Sequence, residues 1–515
     1  MVGVVEMPEK VIEKLNKRVL PQWKACFLAA VLFGLLAHFY KITNWLPNWD
    51  SLVFRYDAQN MLALGRCFLS AICSVGSFYD VPFLNGILCI VYHAVGAVCI
   101  CRILDIKERA TACLIGALVT TFPTVTSVLM YNYVADGYGF AFLLSCLAAY
   151  FMTKEKPRYI LAAVLIALSA GIYQAYITVT VMLLTLYLAD ALIFKGEESL
   201  HLIRKGVAFL LTGVAGMAVY YGILELLLLV TKTELLEYQG ISSAASMSGI
   251  NIADSLYTIR ETFSGYFFDF SGGIKLLPVL NVVICVFCFI TYLAYAIKNK
   301  GFHHILRVLL LIAISAALIF GGTLLAFVNA WIDYHNLMLM GYVVFYLFFI
   351  LLYERIAGKE KLVAVGKWAV LVLAAVLIFN QVVIANVAYH KAQMAYEKSY
   401  GVLIRIADRI EQTEGTDGCT RILVDGALRG SEAYSVLLPP DITGITDGYI
   451  LRADDETVGQ SVLTSALNDY CGKNYEFVSG REKEELLLSE DIKNMSRWPA
   501  SGCIAAKDGI IIIKL

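Results

Sequence analysis

Charge is scarce in this 515-residue sequence. Asp, Glu, Lys and Arg make up 16% of it, against about 25% in an average soluble domain. The net charge is −1, and no long basic face exists, which excludes nucleic acid as a partner. No Cys/His spacing suggests a zinc site, and no Asp-x-Asp pair offers an obvious metal ligand set, so no cofactor and no metal are expected. Internal repeats, low-complexity tracts and disorder-type composition are missing as well. The first apolar run, near Lys24 to Tyr40, has no small-residue cleavage site and is expected to stay as an anchor.

Apolar residues fill the space that charge leaves. They account for 59% of the chain, in recurring runs of about 20 residues, the length that spans roughly 30 Å of hydrocarbon. The runs predict about eleven transmembrane helices, at 22–43, 81–104, 110–130, 134–153, 158–172, 174–194, 206–230, 276–297, 306–327, 336–353 and 363–386. The pair 158–172 and 174–194 is a single apolar stretch broken only by Gly171-Ile172-Tyr173-Gln174. That stretch is too long for one span, so a tight or re-entrant turn is expected there.

Basic residues alternate from loop to loop. One set of loops holds Lys10 to Arg18, Arg102/Lys107/Arg109, Lys154/Lys156/Arg158, Lys195/Arg204/Lys205, Lys298/Lys300/Arg307 and Arg355 to Lys367; the other holds only Lys41, Arg55, Arg66, Lys232, Arg260 and Lys275. The ratio is roughly three to one, and the positive-inside rule places the rich set, with the N-terminus, in the cytoplasm. An odd number of crossings then puts the C-terminus outside. Residues 1–389 form the expected membrane domain. Residues 390–515, with strand-like runs at Arg421–Val424 and Gly509–Ile513, read as a small extracytoplasmic α/β domain of ordinary size. Cys419, Cys471 and Cys503 in this tail allow at most one disulfide. The fold class is therefore an all-α polytopic membrane protein with a small C-terminal α/β domain.

Polar side chains gather on the sparsely basic side. The first loop carries Asp50, Arg55, Asp57, Arg66 and Asp80 among aromatics. Asp50 and Asp57 are seven residues apart and share a face if one helix carries both; Asp50 capping a helix is the alternative. Arg66 follows Gly65, and its planar fork suits a phosphate, or a lipid head group. Asp136 opens the fourth span, where an ionisable group is costly and points to function, unless it is a helix cap. Tyr173-Gln174, Arg260 on the long loop 231–275, and Asp333, His335 and Asn336 complete the set. Tyrosine and tryptophan at these depths serve either as an interfacial belt or as platforms for sugar.

At these residues the chain resembles the bacterial multi-spanning glucosyltransferases that modify O-antigen, the serotype-conversion type within the GT-C membrane glycosyltransferases. The resemblance rests on the Asp50/Asp57 to Gly65-Arg66 loop, on Asp136, and on the string Leu168 to Tyr176, and it covers about residues 20–390. Cys67 stands where the family pattern has an aromatic. The resemblance implies a GT-C-like fold in the cell membrane and a hexose, glucose first, moved from a polyprenyl-phosphate donor to a cell-surface glycan at the outer face. It implies Asp50, then Asp57, as general base, with Asp136 in the catalytic set. Arg66 and secondarily Arg260 would hold the donor phosphate, and Tyr173, Gln174, Asp333, His335 and Asn336 would line the substrate. Membrane lipid is the remaining expected partner. A flippase would show inverted repeats, and a glycan polymerase or ligase a long arginine-rich outer loop; neither is present.

Overall fold

The computed structural model describes residues 9, 19–53, 58–76, 79–236, 251–269, 276–299, 304–356, 361–439, 442, 450–451 and 456–515. Asp57 lies outside the described residues, and so does the continuous-helix expectation for the first loop.

Helix α1 spans Pro21–Thr43, followed by three short loop helices, α2 Trp49–Val53, α3 Ala58–Ala63 and α4 Leu69–Gly76. Then come α5 Pro82–Ile103, α6 Arg109–Thr121, α7 Pro123–Met130, α8 Asn132–Thr153, α9 Tyr159–Ile172, α10 Ile177–Ile193 and α11 Ser199–Thr231. The second half adds α12 Ile252–Phe268, α13 Leu276–Lys298, α14 Ile305–Phe320, α15 Val343–Arg355 and α16 Lys361–Gln412. Proline stands in the first turn of α1, α5 and α7, where its missing N–H is no loss. Pro123 also forces Phe122 to an extended ψ of 136°, which splits one expected span into α6 and α7.

Nine helices among the described residues are long and apolar enough to cross a membrane. The other two expected spans are shorter. Helix α9 has 14 residues, and α15 has 13, preceded by two 3₁₀ turns at Asn336–Met338 and Met340–Tyr342. The break before Gln174 is where the sequence puts it: α9 stops at Ile172, Tyr173 is extended, and a 3₁₀ turn leads into α10.

Helices α5, α6, α7, α8 and α10 form the buried centre, while α11, α13 and α14 show most of their surface. Polar pairs cross this centre. His38 Nε2 donates to the Thr120 carbonyl at 2.8 Å and its Nδ1 lies 2.9 Å from Tyr389 Oη. Thr121 donates to Gln381 Oε1 at 3.0 Å. Such pairs satisfy groups that no water reaches in hydrocarbon.

Helix α16 is 52 residues long, about 78 Å at 1.5 Å per residue, and runs without a break through position 390. Its far end carries the stripe Val402, Leu403, Ile406, Ala407 and Ile410, buried against the tail. The tail is a four-stranded sheet of β1 Arg421–Asp425, β2 Glu476–Phe477, β3 Ile504–Lys507 and β4 Ile510–Lys514, in the order β2-β1-β4-β3. β1 runs parallel to β2 and β4, and β3 pairs antiparallel with β4. Helix α17, Glu456–Cys471, covers one face. Cys419, Cys471 and Cys503 are free thiols, so no disulfide links the tail.

Candidate active site beneath the first loop

The tail closes onto the first loop. Leu52 of α2 is buried in the tail core, with Trp49 and Val53 packed beside it. Trp45 stacks on Tyr470 of α17, with ring centroids 5.4 Å apart and planes 23° apart. The loop that carries Asp50 is therefore held between the bundle and the tail domain, and both lie at the Thr43 end of α1.

Asn48, not Asp50, caps α2. The Asn48 side chain accepts from Ser51 N at 3.1 Å, which leaves Asp50 in the first turn. Helix α3 ends in a left-handed turn. Gly65 has φ of +73°, Gly65 N donates to the Leu62 carbonyl at 2.8 Å and Arg66 N to the Met61 carbonyl at 2.9 Å. This pair of reversed hydrogen bonds is a Schellman cap, which wants glycine at that position, and it fixes where Arg66 leaves the backbone.

The Arg66 turn is also tied to the break before α10. Phe68 N donates to the Gly171 carbonyl at 2.8 Å, and a β-carbon on Gly171 would collide with Phe68 and Cys67. Gln174 Nε2 donates to the Leu64 carbonyl at 3.1 Å and lies 3.0 Å from Tyr220 Oη, which in turn donates to the Gly65 carbonyl at 3.0 Å. Gln174 is thus a brace for the turn. Cys67 fills a space between the turn and Gly171, and burial pushes its thiol up to about 11. Phe68, one residue on, supplies the aromatic contact.

Arg66 lies over the Tyr173 ring, 5.1 Å from its centroid. Tyr173 stacks on Tyr138 at 4.5 Å, and Tyr176 packs against both. Buried Tyr133, one turn earlier on α8, feels both the Asp50 carboxylate and the Arg66 guanidinium. Both side chains are therefore within electrostatic range of the start of α8.

Asp136 sits at that same start. Helix α8 begins at Asn132, so Asp136 is a full turn inside, and the capping alternative does not hold. Its side chain is 2% exposed, accepts from Gly137 N at 3.0 Å and lies against Gly76 of α4. Beside it, Asn132 Nδ2 donates to Asp80 Oδ1 at 2.7 Å, and Asn85 Nδ2 donates to the Tyr79 and Asn132 carbonyls at 3.0 and 3.1 Å. Lys41, buried at the end of α1, donates to the Leu46 carbonyl and feels Asp80.

Lys41, Asn85, Asn132 and Tyr133 were not singled out from the sequence. Lys41 had a signal, a lysine inside the end of an apolar span; the two asparagines and the tyrosine had none. The remaining expected positions are Arg260, Asp333, His335 and Asn336. Arg260 is exposed on α12, 3.6 Å from its neighbour Glu261. Asp333 is exposed and His335 half-buried. Asn336 is buried and accepts at its carbonyl from Thr124 of α7 at 3.0 Å. Among the described residues no three His, Cys, Asp or Glu side chains gather as a metal site would require.

The nine long apolar helices among the described residues fit a polytopic membrane protein. The chain belongs to the glucosyl transferase GtrII family, whose profile matches residues 39–352. The match runs from the last turn of α1 into α15 and contains the first loop. No curated protein and no solved structure matches the chain.

Proposed function

We propose that this glucosyltransferase-family protein moves a hexose, glucose first, from a polyprenyl-phosphate donor to a cell-surface glycan at the outer face of the bacterial cell membrane. The observation that carries this reading is Arg66, seated on Tyr173 and fixed by the Gly65 turn, in the same loop as Asp50. A sugar-phosphate transfer needs those two groups together. A carboxylate takes the proton of the acceptor hydroxyl as its oxygen bonds the anomeric carbon. A guanidinium stabilises the phosphate that departs with the bonding electron pair. Asp50 is the leading base and Asp57 the second candidate.

Asp136, with Asp80, Asn85 and Asn132 beside it, offers acceptors and donors for sugar hydroxyls, and Tyr138 and Tyr173 offer ring faces. Gln174 acts through the turn it braces. An eleven-crossing topology with the basic loops in the cytoplasm would put this site and the tail domain outside. A lipid-carried sugar then fits better than a nucleotide sugar.

The test is sugar transfer in membranes from polyprenyl-phosphate glucose to the host glycan, with Asp50→Asn and Asp57→Asn made separately. Loss of the general base should lower turnover by about 10²- to 10⁴-fold. Full activity in both variants would refute a first-loop base. The host glycan separates the alternatives: a lost side-branch sugar supports transfer, and a lost polymer points to a polymerase or flippase.

A further inference from the structure

The end of the bundle opposite the first loop holds a cavity that sugar transfer does not use. It has a volume of about 730 Å³ and lies between the start of α1, the ends of α5 and α8, and the loop into α9. Its walls include Trp23, Arg102, Tyr150, Lys154, Lys156 and Arg158. A second, apolar groove of about 420 Å³ runs along α1 and α5, lined by Phe27, Leu28, Val95 and Val98. Trp23 lines both spaces.

Two of the six cations that line the chamber are neutralised. Lys107 is matched by Asp105 at 2.5 Å and Lys195 by Asp190 at 2.9 Å. Among the described residues, Arg102, Lys154, Lys156 and Arg158 meet no carboxylate, while Glu155 is the one further acid of the wall. Arg102 is exposed and lies against two rings, its guanidinium carbon 4.6 Å from the Trp23 ring and 4.4 Å from Tyr150. Lys154 lies 5.0 Å from the Tyr150 ring and 5.4 Å from Phe151, and Arg158 5.9 Å from Phe151. Ring faces hold a cation without cancelling its charge. A guanidinium held against ring faces keeps its in-plane N–H edge for an oxyanion.

We propose that this chamber and groove together bind one anionic glycerophospholipid, its phosphodiester on Arg102 and Lys154 and an acyl chain along Phe27, Leu28, Val95 and Val98. Loop cations that merely follow the charge rule would be dispersed; these converge on one cavity. A free phosphate has no use for the apolar groove that shares Trp23. A basic pocket between spans at the cytoplasmic surface suits an anionic head group, and such lipids outnumber any carrier lipid there, which favours them by mass action. The proposal is independent of the transfer reading.

The experiment uses the full chain in neutral detergent and native mass spectrometry. It is titrated with phosphatidylglycerol, with phosphatidylcholine of the same chains, with polyprenyl phosphate and with inorganic phosphate. One phosphatidylglycerol should be retained with a preference of about tenfold or more over phosphatidylcholine, and Arg102→Gln with Lys154→Gln should weaken it by about tenfold or more, as loss of charge-assisted hydrogen bonds implies. Arg102→Lys should fall between. Trp23→Ala should weaken the lipid and leave inorganic phosphate unaffected. Lys367→Gln, at the same end over Tyr353, should change nothing. Should the double variant not fold, exposed Lys156→Gln and Arg158→Gln carry the same test. Equal retention of both phospholipids, an equal effect of Lys367→Gln, displacement by inorganic phosphate, or preference for polyprenyl phosphate would each overturn the proposal.

Discussion

The two ends of the bundle solve opposite problems. At the basic-loop end, opposite charges lock helices together. Arg355 grips Asp190 with two hydrogen bonds of 2.6 and 3.0 Å and donates to the Leu104 carbonyl at 2.6 Å. Glu354 accepts from the N–H groups of Lys107 and Glu108 and from the Thr111 hydroxyl, at the start of α6. At the first-loop end, α3, α4, α9 and α10 are held by backbone turns, a glutamine brace and aromatic stacks. Charge spent on locking the bundle is not free for chemistry. Around the Arg66 turn the fasteners are neutral contacts.

The sharpest way to break this comparison is Arg355→Ala. Asp190 is 1% exposed and keeps Lys195 at 2.9 Å, so removing Arg355 leaves its charge only partly compensated and costs less than the about 3–5 kcal/mol of a fully broken buried pair. The expected outcome is a marked fall in the thermal unfolding midpoint in detergent, with transfer per folded molecule little changed. A variant that loses transfer and keeps stability would make the basic end part of the chemistry.

Gly65→Ala makes the converse prediction. A β-carbon at φ of +73° costs about 1–2 kcal/mol, and the turn that aims Arg66 is the place where it is felt. The KM for the lipid-phosphate donor should rise while the unfolding midpoint moves by only a few degrees. An unchanged KM would detach Arg66 from the donor. The smallest effect is expected from Tyr470→Ala, which removes the stack on Trp45, worth about 0.5–1.5 kcal/mol beyond burial. Hydrogen exchange should then quicken in residues 45–53 and stay unchanged at the Asp190 end.

Much of this organisation is legible in the residues themselves. Apolar runs mark every helix that crosses, because hydrocarbon demands apolar surface along the whole length. The Gly171–Gln174 break and the strands at 421 and 510 are likewise visible. The first-loop cap is not: Asp50 and Asn48 both carry cap-forming side chains, and only the path of the chain chooses Asn48. Nor is the role of Gln174, whose partners Leu64 and Tyr220 lie 110 and 46 residues away. The span ending in α15 reads as an ordinary helix, yet two 3₁₀ turns precede it, with Asn336 packed on the α7 break.

The sequence by itself determined that this is a membrane protein, which loops share an end and where charge is concentrated, since these follow from local hydrophobicity and charge counts. The tertiary structure alone decided that Arg66 seats on Tyr173, that the tail domain grips α2, and that six cations of the other end line one cavity. Those are relations between segments far apart in the chain. They are set by which helices pack together, a choice that depends on shape complementarity across the bundle and leaves no periodic trace in the residues that make it.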